Sequence, residues 1–183
     1  MRLNWVLGGQ EKPAARADVL RHRLGGRRTA PETTVIDQLR AHRPEFFGTG
    51  FACLWHEVMH GDSEWSPAER QLLAATVSKV NGSMVCLLAH QSAATRELGP
   101  GLVTAALRDP GTAPITPPLA AALRFVAKLA GEKADVQGTD AGTIMAWGRS
   151  ADAVRDLAYL CAVVTTINRI TDALDLKGPF TVV

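Results

Sequence analysis

The sequence predicts an all-α fold: a compact multi-helix domain, on three observations. Apolar residues recur at helical spacing through most of the chain after residue 30, no segment alternates as a half-buried strand does, and helix-start signals recur along it. With 183 residues, 46% of them hydrophobic and 21% charged, the chain can bury a core without disulfide or metal support.

The elements follow in order. Pro31 suits a first helical turn, and Val35, Ile36 and Leu39 form a short apolar stripe. Pro44 opens one segment carrying Phe47, Phe51, Leu54, Trp55 and Val58 at helical spacing, ending near Gly61. Ser66-Pro67-Ala68-Glu69 combines an N-cap serine, a proline at the first helical position and a capping-box glutamate. The helix it opens runs through Leu73, Val77 and Val80 to the break at Asn81-Gly82. The next begins at residues 82–83 and stops near Gly99-Pro100. Thr116-Pro117 opens another, with Leu119, Leu123, Val126 and Leu129 on one face. Thr139 or Asp140 starts a shorter helix that ends near Gly148. The last runs from Ser150 to about Leu174 and places Val154, Leu157, Cys161, Val164, Ile167 and Leu174 along one stripe. Residues 163–167 of that helix are all β-branched, but period and length favour helix over strand.

Charge divides the chain in two. Residues 1–30 carry a net +5 and the remainder −3, so residues 1–30 read as a basic N-terminal arm and 31–183 as the helical domain. The arm lacks aromatic interleaving beyond Trp5 and any nucleic-acid reading motif, so it is read as packing on its own or a neighbouring subunit. No apolar run approaches a membrane span, and the N-terminus lacks a signal-like apolar stretch with a cleavage site. Three scattered cysteines make no disulfide framework, which points to a reducing cytoplasm.

The chemistry centres on "NGSMVCLLAH", residues 81–90. Cys86 falls in the first turn of its helix, where free N–H groups and the helix dipole are expected to favour thiolate. His90 at i+4 and Ser83 at i−3 share its face, giving an activated sulfur, a proton acceptor and a polar neighbour. The same spacing also suits a core cysteine beside a satisfied histidine. Cys53 and Cys161 have apolar neighbours, and core packing is expected for both. Trp55, Trp65 and Trp147 read as core or interface anchors.

A second motif, His56-Glu57-Val58-Met59-His60, fits H-E-x-x-H. Gly61-Asp62 follows at once, and no third ligand sits in a recognised downstream pattern, so a chance match on a surface helix is the reading.

"SPAERQLLAATVSKVNGSMVCLLAH" followed by "QSAATRELG" resembles the signature of the alkylhydroperoxidase D-like (carboxymuconolactone decarboxylase-like) family. So do "IDQLRAHRPEFF", "APITPPLAAALRFVAKLA" and "VTTINRITDALDL", in order, over about residues 33–176. The resemblance implies an all-helical, homo-oligomeric protein whose peroxidase members use a C-x-x-C pair, a histidine and a glutamate relay. Under it, Cys86 matches the peroxide-attacking cysteine and His90 the histidine. Ser83 falls on the resolving cysteine and Gln71 on the relay glutamate, with Glu69 two residues away. Without a second thiol at position 83, a sulfenic acid at Cys86 has no local disulfide to form, and Gln71 cannot carry protons as a carboxylate does.

The catalytic set expected from residues and resemblance together is therefore Cys86, His90, Ser83 and Gln71. The implied function is thiol-dependent peroxide reduction by a single cysteine, with no metal or organic cofactor. Its expected partners are a small-molecule hydroperoxide, a thiol reductant and further copies of the chain; neither nucleic acid nor membrane is expected. The alternative is a degenerate, small-molecule-binding or structural oligomer.

Overall fold

The computed structural model describes residues 35–176, so Pro31 and the basic arm of residues 1–30 lie outside the described residues. Among the described residues there are nine helices and no strand. They are α1 (Val35–His42), α2 (Pro44–Phe47), α3 (Thr49–His60), α4 (Pro67–Asn81), α5 (Met84–Leu98), α6 (Pro100–Arg108), α7 (Pro117–Ala130), α8 (Gly138–Ala146) and α9 (Ala151–Ala173).

Helix α4 is the centre of the molecule. Its start is fixed by the expected reciprocal cap: Ser66 Oγ accepts from the Glu69 N–H at 3.2 Å, and the Glu69 carboxylate accepts from the Ser66 N–H at 2.8 Å. Its end is fixed by Gly82, whose φ of 75° lies in the left-handed region that costs glycine least. Between these ends every residue from Arg70 to Ser78 is buried. Helix α5 lies along it, and α7 and α9 pack against it. Leu72, Leu73 and Val77 of α4 meet Leu119, Leu123 and Val126 of α7 and Leu157, Leu160 and Val164 of α9 in one core. Trp65, fully buried in the turn before α4, donates its Nε1–H to the Ala153 carbonyl at 2.9 Å and ties that turn to the start of α9.

Polar bonds complete the layer. Ser78 Oγ donates to Asn168 Oδ1 at 3.2 Å, Asn168 Nδ2 donates to Asn81 Oδ1 at 2.9 Å, and Asn81 Nδ2 donates to the Ala130 carbonyl at 3.1 Å. This chain links α9, α4 and the end of α7. On the other side, buried Arg70 donates to the Val58 and Gly61 carbonyls at 3.2 and 2.8 Å, binding the open C-terminal end of α3.

Several sequence expectations need correction. The segment from Pro44 to Gly61 is two helices, because a Cβ at Gly48 would stand 2.3 Å from the Pro44 carbonyl oxygen and the chain makes its break there. Gly99-Pro100 is a stop and also a start: Pro100 takes the first position of α6, for which the sequence reading had no helix. Helix α8 begins at Gly138, slightly before Thr139 or Asp140. Trp147 is 57% exposed, so core packing fails for it. Cys53 also faces solvent, because it lies on the outward side of α3 together with His56, Glu57 and His60. Cys161 is buried as expected.

Candidate active site

Cys86 is the third residue of α5 and is buried at the junction of α5 with the last turn of α9. Ser83 is the N-cap of α5, in the extended conformation of a cap residue, yet it makes no capping bond. Its hydroxyl instead donates across to Asp172 Oδ1 of α9 at 2.9 Å. A serine cap is worth about 1 kcal/mol, so this helix start forgoes a local stabilisation for a tertiary contact. Next to Asp172, the Thr171 hydroxyl is buried with no hydrogen-bond partner at normal geometry, lacking even the i−4 carbonyl bond that helical threonines often make.

The thiolate expected from the helix dipole does not win. Burial pushes the Cys86 thiol up, Ser83 and Thr171 hydroxyls placed to donate to a thiolate pull it down, and the Asp172 carboxylate pushes it up again. The balance favours the protonated sulfur.

His90 sits one turn further along α5, buried beneath the half-buried Trp55, with ring centroids 5.9 Å apart. Its Nδ1 lies 2.7 Å from Gln71 Oε1 of α4. An amide oxygen only accepts, so Nδ1 carries the proton and Nε2 is left as an acceptor. Burial lowers the His90 pKa to about 4, which makes it a neutral imidazole at pH 7.

Three of the four expected residues therefore fall into two contacts, Ser83 with Asp172 and Gln71 with His90, with the fourth, Cys86, between them in sequence along α5. Gln71 positions the histidine and does not touch the sulfur's cap. Glu69 holds the Ser66 backbone through the capping box, so it is not available as a substitute relay. Thr171 and Asp172 are the residues missed by the sequence reading. They lie within "NRITDALDL", some 85 positions from Cys86, and no local spacing connects them; only the approach of α9 to α5 does.

The His56 and His60 rings stack with centroids 5.5 Å apart on exposed positions of α3. Burial lowers the His60 pKa, and the charges of His56 and Arg70 add to this against Glu97. Among the described residues no group of three or more His, Cys, Asp or Glu side chains is arranged to hold a metal ion. Nor is any helix among them long and apolar enough to cross a membrane.

No protein-family model and no curated protein sequence matches the chain. Solved structures do. A peroxidase-related protein from Silicibacter sp. TM1040 is similar with a TM-score of 0.74 at 21% identity, covering 94% of this chain and 90% of that one. A peroxidase-related protein from Ralstonia eutropha JMP134, described as an alkylhydroperoxidase AhpD core, has a TM-score of 0.74 at 21% identity over 92% and 90% of the two chains. The debrominase Bmp8, as a cysteine-to-alanine variant in complex with 2,3,4-tribromopyrrole, has a TM-score of 0.72 at 18% identity over 97% and 93%. At these identities the likeness is one of architecture: the chain has the all-α, alkylhydroperoxidase D-like fold that the peroxidase-related proteins and the debrominase share.

Proposed function

We propose that the protein is a thiol-dependent oxidoreductase of peroxidase type that uses Cys86 as its only reacting cysteine. The observation that carries this reading is the placement of Cys86 in the first turn of α5, with Ser83 and Thr171 hydroxyls acting on its sulfur and His90 one turn on. The fold shared with peroxidase-related proteins supports it.

In this reaction the Cys86 thiolate attacks the distal oxygen of a hydroperoxide. The O–O bond breaks, an alcohol or water leaves with a proton, and Cys86 becomes a sulfenic acid. Ser83 offers no sulfur, so an external thiol condenses with the sulfenic acid and releases water. A second thiol then displaces Cys86 and carries the oxidising equivalents away as a disulfide. His90 Nε2 accepts and passes on a proton, since burial disfavours the imidazolium, while Gln71 fixes which nitrogen is free. The partners are a small hydroperoxide, a thiol and further copies of the chain.

Peroxide treatment followed by mass analysis tests the reading. It expects a sulfenic or thiol-capped Cys86 without an internal disulfide, peroxide turnover only with added thiol, and loss of turnover in Cys86→Ser. Unchanged turnover in that variant would overturn it. A second reading, thiol-dependent removal of halogen from a haloaromatic, is favoured by the debrominase's shared fold and by Trp55 beside His90. Halide release from a bromopyrrole in the presence of thiol, with no peroxide turnover, would select it.

A further inference from the structure

A serine hydroxyl has one hydrogen, and in this structure Ser83 gives it to Asp172. The same hydrogen is then withheld from the Cys86 sulfur, beside which the hydroxyl is placed to favour the thiolate. We propose that Asp172, acting through Ser83, adds to burial in holding Cys86 in its protonated form, and that neutralising Asp172 turns the Ser83 hydroxyl onto the sulfur and favours the thiolate. The inference rests on the reading of Cys86 as the reacting thiol, and Asp172 is in it a positioning residue.

Three features of the site support this. Ser83 leaves its own helix end uncapped in favour of Asp172, although its backbone is set for capping. Asp172 sits in the last turn of α9, where the helix dipole disfavours a carboxylate, and takes the Ser83 hydroxyl as its donor. The buried Thr171 hydroxyl has no partner while Cys86 is a thiol and would gain one in a thiolate, so the pocket is built for the charged sulfur but held in the neutral state.

The surroundings leave Asp172 as the controlling charge. His90 on α5 is uncharged at neutral pH. On α4 the buried polar residues are Gln71, Thr76, Ser78 and Arg70; the first three are neutral, and the Arg70 guanidinium is turned to the end of α3. On α9, Asn168 and Thr171 are neutral. Asp172 itself is exposed, so a solute cation can reach it.

A pH titration of protein carrying ¹³C-labelled cysteine, read at the Cys86 Cβ by nuclear magnetic resonance and assigned with Cys86→Ser, tests the proposal without substrate or turnover. Asp172→Ala, which removes both the charge and the acceptor, should lower the Cys86 midpoint and raise the thiolate fraction at pH 7. Ser83→Ala should raise the midpoint less in the wild-type background than when combined with Asp172→Ala, where the hydroxyl's hydrogen is free for sulfur. That difference between backgrounds is the mark of control through Ser83. An unchanged or higher midpoint in Asp172→Ala, or the same upward shift from Ser83→Ala in both backgrounds, would overturn the proposal. The peroxidase reading fails separately, through turnover.

Discussion

Burial acts on Cys86 and His90 with opposite signs on their pKa values and the same chemical result. A carboxylic acid or thiol out of water holds its proton, an imidazole out of water sheds it, and both end neutral. The histidine makes stability depend on pH. Its folded pKa of about 4 lies below the ordinary histidine value of 6.5, so the stability it contributes is present above pH 6.5 and is lost as pH falls toward 4. In that window the unfolded chain binds a proton that the folded chain refuses. The loss amounts to about 3 kcal/mol at most, one pKa unit being worth about 1.4 kcal/mol. Urea midpoints measured from pH 7 to pH 4 should fall accordingly, and His90→Gln should flatten the curve between those limits.

At the scale of the elements, the ends of α3, α4 and α5 are finished in three different ways. Helix α4 has a complete reciprocal cap, and Ser66→Ala should lower stability by about 1 kcal/mol with no change in the Cys86 titration, measurable by thermal melting. Helix α3 depends on Arg70 for its last carbonyls. Arg70→Met keeps the aliphatic packing and leaves those carbonyls without their charged donor, which should cost about 2–3 kcal/mol by denaturant midpoint. Helix α5 begins with a cap residue bonded elsewhere, and there the departure from local preference coincides with the thiol proposed to react.

Across the whole molecule, α4 is the helix on which the other parts converge. Its apolar faces meet α7 and α9, and its polar residues reach α9 through Asn168 and α5 through His90. Leu123 of α7 is fully buried in this core, and Leu123→Ala should cost about 2–5 kcal/mol, read as a lower unfolding midpoint. Asn168 is also fully buried and bonded on both sides; Asn168→Ala takes the partner from the Ser78 hydroxyl and from Asn81 Oδ1, and a loss of about 1–3 kcal/mol is expected. The second change should also disturb the approach of α9 to α5, so the Cys86 titration should broaden or shift with it, whereas Leu123→Ala should leave that titration in place.

The sequence by itself determined the helical class, the long amphipathic α9, the capped start of α4 and the Cys86–His90 pair one turn apart. Each of these is written within a few residues: a period of 3.6, a Ser-Pro-x-Glu start, a spacing of four. Local pattern failed where a glycine served as both break and join, at Gly48 and Gly99, and where an apolar neighbourhood in sequence was an exposed face in space, at Cys53. Tertiary structure alone decided the state of the sulfur. The same "NGSMVC" start that promises a dipole-stabilised thiolate in an isolated helix is buried against the end of α9, where desolvation of the sulfur, and after it the Asp172 carboxylate, favours the thiol. Charge and desolvation act across space, and no spacing along the chain records them.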